Sequence, residues 1–152
     1  MNADSAIHTA LHEAGHILAC FVLSIPLASA TVVPDTTGAL GSVTPVNTDA
    51  IPLPHAVAAL AAGAVIEKDW LRNADVADTC LGDFKSVRGL LEARFGTVSA
   101  DEASQCFFAG MALAKSLLTG RDRELTEIAV ALCENHTLDS EQLSDLKRRL
   151  LQ

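Results

Sequence analysis

The sequence predicts a mainly α-helical domain of the kind that carries one small β-sheet or hairpin. Apolar residues recur at three- and four-residue steps along most of the chain, which is the period of a helix with one buried face. β-Branched residues gather instead between about residues 30 and 46, around the turn-forming stretch Asp35-Thr-Thr-Gly38. Helix start and stop signals punctuate the second half, among them Ser99 with Glu102 and the glycines Gly96 and Gly120.

The bulk properties fit that expectation. The chain has 152 residues, enough for one domain with a real core, so residues 1–152 are read as a single unit. Hydrophobic residues make up 49% and charged residues 20%, a balance that folds. A net charge of −8 disfavours nucleic acid or an anionic membrane as partner. Cys20, Cys80, Cys106 and Cys133 form no C-x-x-C pair and read as reduced core thiols of a cytoplasmic protein. The apolar run from Ile17 to Val33 contains Pro26 and three hydroxyl residues, so it reads as a helix end plus a strand and not as a membrane span. Asp4, His8, His12 and Glu13 fill the N-terminus, which excludes a signal-peptide pattern there.

The first helix follows from Asp4 or Ser5 as N-cap and from Ile7, Ala10, Leu11, Ala14, Leu18 and Phe21 as its apolar stripe. No proline interrupts it before Pro26. His12 and His16, one turn apart, look toward a second surface shared with Gly15 and Ala19. Gly15 costs the helix about 1 kcal/mol against alanine, which makes sense if another backbone packs closely there.

His12-Glu-Ala-Gly-His16 is the chemical centre of the sequence. Two imidazoles four residues apart on a helix can reach one zinc ion. Glu13 beside them can reach a water on that ion and serve as general base. A catalytic zinc takes three protein ligands, so a third must come from elsewhere in the chain. The residues alone leave Glu67 and, less well placed on the same helical row, His8.

Further along, Ala30 to Pro34 and Ala39 to Thr44 read as two short strands around the turn, with Pro34 and Pro45 favouring edge positions. An exposed edge strand at Gly38 to Val43 can pair with an extended peptide; a small capping hairpin with no ligand is the alternative. Pro54 opens an alanine-rich helix to Trp70, expected to pack on the first. Glu67 near its end is either a metal ligand, a partner behind one, or a solvated charge. Residues 72–81 read as loop. Helices follow from Phe84 to Arg94, from Ser99 to Leu118 behind a capping box, from Arg121 to Asn135, and from Asp139 or Ser140 to Leu151.

At this point the sequence resembles the protease domain of the FtsH family of zinc metallopeptidases. His12-Glu-Ala-Gly-His16 carries the likeness, with Val33-Pro34, Gly38-Ala-Leu-Gly41, Ala62-Gly-Ala-Val-Ile-Glu67, Gly82-Asp-Phe84, Arg94-Phe-Gly96 and Thr137-Leu-Asp139. The resemblance implies Asp83 as third zinc ligand, one zinc ion per chain, and substrate alignment along Gly38, Ala39, Leu40 and Gly41. It also implies a zinc endopeptidase acting on flexible or unfolded polypeptides. The chain departs from the family in having no ATPase module, Walker motif or transmembrane helix, so hydrolysis is expected to be ATP-independent. The threonine and glycine before the ligand aspartate are replaced by Asp78-Thr79, and the pair after it by Val87-Arg88. A homo-oligomer or a separate ATPase partner is compatible with the resemblance. The alternative from another class is a catalytically idle peptide-binding or assembly module, against which an intact Glu13 argues. The chain has no tyrosine, so no phenol is available to hold an oxyanion.

Overall fold

The structure, a computed structural model, describes residues 3–151, with side chains from Ser5 onward. Helix α1 runs from Ala3 to Val22. Asp4 and Ser5 lie inside its first turn and not at the N-cap position expected of them; the Asp4 side chain falls outside the described residues. The helix ends in a left-handed Ser24 (φ 56°). Ile25 N–H donates to Cys20 O (2.8 Å) and Ser24 N–H to Phe21 O (3.2 Å), so the last carbonyls are satisfied as the chain reverses into Pro26.

Three antiparallel strands make the sheet, in the order β2-β1-β3. They are β1 (Leu27–Thr31), β2 (Ser42–Pro45) and β3 (Thr137–Asp139). Ala30 stands between Val43 on one side and Leu138 on the other. Two strand expectations need correction. β1 begins directly after Pro26 and stops at Thr31; Val32 N–H still reaches His136 O (2.9 Å), one step beyond the β1–β3 register, before Val33 N–H folds back on Thr31 Oγ1 (3.0 Å). Residues 38–41 are loop and not edge strand. The Asp35 carboxylate takes the N–H groups of Thr37 (2.8 Å) and Ala39 (3.1 Å), which ties that segment into a turn. β3 occupies Thr137-Leu-Asp139, directly before the last helix.

A single 3-10 turn at Thr48–Ala50 leads to α2, Leu53–Val65. The helix expected to reach Trp70 widens at Ile66–Trp70 into a π-turn, in which Leu71 N–H donates to Ile66 O, five residues back (2.9 Å). A short α3 (Val76–Thr79) occupies the stretch read as loop, and α4 (Leu81–Phe95) starts three residues before Phe84. α5 (Ala100–Leu118) carries the expected capping box between Ser99 and Glu102. α6 (Asp122–Asn135) and α7 (Ser140–Leu150) complete the chain, α7 capped by Asp139 with Gln142.

α2 lies at the centre, against α1, α4 and α5, while α1 also packs on α6. Ala58, Ala61, Ala62, Gly63 and Ala64 are all buried. Small side chains bring α1 and α2 close. A Cβ on Gly15 would strike Ile66 Cγ1 and sit 3.3 Å from Ala62 O, which accounts for a glycine inside α1. One core joins Ile17, Leu18, Ile66, Leu125, Ile128 and Leu132. The second, on the far side of α2, joins Val57, Ala61, Val87, Leu91 and Phe107. α1 is buried on more than its apolar stripe: Ile7 of that stripe is exposed, whereas Glu13 and His16 are buried. No described helix is long and apolar enough to cross a membrane. The four cysteines are unpaired, and burial pushes the Cys20 and Cys80 thiols up to about 12.

Candidate metal centre

The site is built from two helical rows with the same four-residue step. His8, His12 and His16 form one on α1. Ala59 and Gly63 of α2, continued by Glu67 in the π-turn, form the other. The rows run antiparallel, so His16 meets Ala59 and His12 meets Glu67.

His16 Nδ1–H donates to Ala59 O at 2.7 Å, and His12 Nδ1–H donates to Glu67 Oε1 at 3.0 Å. With Nδ1 carrying the proton in both rings, each Nε2 is left with a lone pair. These two nitrogens lie 3.2 Å apart. Asp83 Oδ2 lies 3.0 Å from His12 Nε2 and 3.3 Å from His16 Nε2. A tetrahedral ion with ligands at about 2.0–2.1 Å spaces its donors about 3.3 Å from one another. His12, His16 and Asp83 thus form a group that could hold a metal ion.

The electrostatics agree with the geometry. Three electron-pair donors pointed at one spot need positive charge there, as protons or as a cation. Burial works against charging His12, but hydrogen bonds to Asp83 and Glu67 and the nearby carboxylates outweigh it and hold the ring at about 10. His16 is raised in the same way: burial opposes its charge, and Asp83 overcomes that. Burial would lift Asp83, yet His16 and His12 hold it well below the usual carboxylate range. The space is also kept clear. A Cβ on Gly63 would collide with His12 Nε2 and lie 2.6 Å from His16 Nε2.

Asp83 sits in the first turn of α4, whose N-cap is Cys80 with no side-chain cap. Its carboxylate is therefore free for the two histidines and is not spent on capping. Glu67 is not a solvated charge. It is 2% exposed and faces His12 Nδ1, away from the Nε2 convergence. It also accepts from His8 Nε2, 2.8 Å from both carboxylate oxygens, and from Asn73 Nδ2 at 3.0 Å. Burial raises its pKa, but the bonds from His12, Asn73 and His8 win and bring it to about 2. His55 and His136 stand at the start of α2 and the end of α6.

Glu13 is 6% exposed. Burial raises its carboxyl, the charges of His16 and His12 lower it, Asp83 raises it, and the net shift is upward. The loop before β2 closes on it: a Cβ on Gly41 would lie 2.8 Å from Glu13 Cγ and 2.9 Å from Thr31 O. Glu13 and the ligand group share a cleft of about 880 Å³. Gly38, Ala39, Leu40 and Gly41 form one wall, as a loop leading into β2. Ser86 and Leu90 of α4 form another. β2 pairs only with β1 among the described strands, so its outer edge is open.

Sequence reading missed Gly63, Ala59 O and Asn73 as parts of the site. The repeat at 59, 63 and 67 was the available signal, since it matches the histidine spacing and includes the one glycine of α2, in its last turn. No family model matches the chain, and a search of curated proteins finds no match.

Proposed function

We propose that this chain is a zinc-dependent endopeptidase that hydrolyses peptide bonds in flexible or unfolded polypeptides without ATP, akin to the FtsH-family peptidase domains. The observation that carries the reading is the convergence of His12 Nε2, His16 Nε2 and Asp83 Oδ2 within 3.0–3.3 Å of one another, in a cleft shared with a buried glutamate. Two imidazoles and one carboxylate are a donor set suited to zinc. His12, His16 and Asp83 would hold the ion, which when bound supplies Lewis-acid polarisation of a carbonyl and acidification of a water.

The chain's own groups do the rest. Glu13 takes a proton from the attacking water and passes it to the leaving amine. Its upward-shifted carboxyl suits both halves of that transfer better than an ordinary glutamate. Ala59 O and Glu67 keep the two rings in the tautomer that presents Nε2. The open edge of β2 and the 38–41 loop align an extended substrate by backbone pairing, which demands an unfolded segment. The unpaired cysteines fit a reducing, cytoplasmic setting.

Metal analysis of the purified chain, joined to casein cleavage by wild type and Glu13→Gln, tests the reading. The expected result is zinc in both proteins, casein cleaved by wild type alone, and a tightly folded domain left intact. Full activity in Glu13→Gln would remove Glu13 as the base. Peptide binding without cleavage by wild type would leave only a binding module.

A further inference from the structure

The histidine row on α1 continues one turn beyond the ligand pair, to His8. Its Nε2–H lies 2.8 Å from both oxygens of Glu67. Asn73 Nδ2 reaches the same carboxylate, 3.0 Å from Oε2. The chain goes to some length to bring it there. After the π-turn, Arg72 adopts φ 51°, and Asn73 N–H returns to Glu67 O at 2.8 Å. The Glu67 carboxylate thus receives His12 and His8 on Oε1, and His8 and Asn73 on Oε2.

We propose that His8 is a positioning residue: together with Asn73 it clamps the Glu67 carboxylate, so that Glu67 fixes the His12 Nδ1–H and aims His12 Nε2 at the metal. This rests on the metal-centre part of the reading above and not on peptidase activity. The His8 side chain is 39% exposed, so it contributes little to the core. Its N–H bridges both oxygens; without it the carboxylate plane would be set by His12 on Oε1 and Asn73 on Oε2 alone, one donor to each oxygen. A His12 ring bonded to a less tightly held acceptor is less sharply oriented, and ligands need placement to about 0.2 Å.

The test is metal affinity of the full chain, measured by competition with a chromophoric chelator for Co²⁺ and Zn²⁺, with the Co²⁺ absorption spectrum recorded alongside. His8→Phe keeps a ring and removes the donor. His8→Gln restores an N–H donor the same number of bonds from Cβ. The expected result is a loss of about 10- to 100-fold for His8→Phe, with an altered cobalt spectrum, and recovery of most of the affinity in His8→Gln. Metal-free unfolding temperatures of both variants should stay close to wild type. Wild-type affinity in His8→Phe would overturn the proposal, and so would equal losses in both variants. A wild type that binds neither metal would overturn it together with the metal centre. A wild type that holds cobalt but cleaves no casein would overturn the peptidase reading alone.

Discussion

Gly63→Ala adds one methyl group at the point where both histidines aim. The new Cβ would lie 2.6 Å from His16 Nε2 and from His12 Cε1, where ordinary contact begins at 3.4 Å. His16 would have to retreat by about 0.8 Å, and His12 further, because its Nε2 lies closer still. A zinc site tolerates about 0.2 Å in a metal–ligand distance, so the displacement is roughly four times what coordination allows. Neither ring has an easy way out, since His16 is tied to Ala59 O and His12 to Glu67. The substitution also acts in the opposite direction on the helix, because alanine stabilises a helix interior by about 0.5–1 kcal/mol over glycine. Metal affinity should therefore fall by at least about 100-fold, well beyond the loss of an outer partner, while helix content is unchanged. Chelator competition for zinc, with circular dichroism on the metal-free protein, reads both quantities. Wild-type zinc affinity in Gly63→Ala would show that the ion does not sit where the two Nε2 atoms converge.

Asp83→Ala should give a folded, metal-poor and inactive protein. Glu67→Ala should weaken metal binding by about 10- to 100-fold yet keep more of it than Asp83→Ala, and metal content after dialysis separates the two; the reverse order would make Glu67 the ligand. pH dependence supplies a further prediction for the metal-free chain. His12 in the folded protein titrates at about 10, above its ordinary 6.5, so the folded state binds the extra proton. That stability is fully present below pH 6.5 and is lost as pH rises toward 10. Unfolding temperatures should fall across that interval without metal, and the fall should diminish when zinc replaces the proton. At the acid end, Glu67 is held at about 2, so its contribution is present above pH 4.5 and disappears as pH drops toward 2.

The local features of this molecule were legible in its sequence, and the long-range ones less so. The histidine pair on one helix, the alanine-rich helix beside it, and the capping box at Ser99 follow from spacing and residue type, and the structure has them. Gly15 predicted a close approach and meets Ile66 and Ala62. β3 was not legible, because three residues carry no strand pattern of their own and pair with a strand more than a hundred positions earlier. The extent of the first hairpin was misjudged because the Asp35 carboxylate competes for backbone donors that a ladder would use. The π-turn has no sequence marker. Glu67 illustrates the limit for the site itself: its residue type admitted ligand, partner or surface charge, and only the antiparallel meeting of two helices puts it against Nδ1.

The central strand β1 takes its neighbours from opposite ends of the chain, β2 at Ser42–Pro45 and β3 at Thr137–Asp139. During synthesis, the histidine row and Asp83 emerge well before β3. At about 5–20 residues per second, roughly 5–20 s separate the appearance of β2 from that of β3. A nascent chain therefore has His12, His16 and Asp83 before β1 is paired on both sides. The order of emergence from the ribosome postpones completion of the sheet beside the cleft until β3 at Thr137–Asp139 has been made.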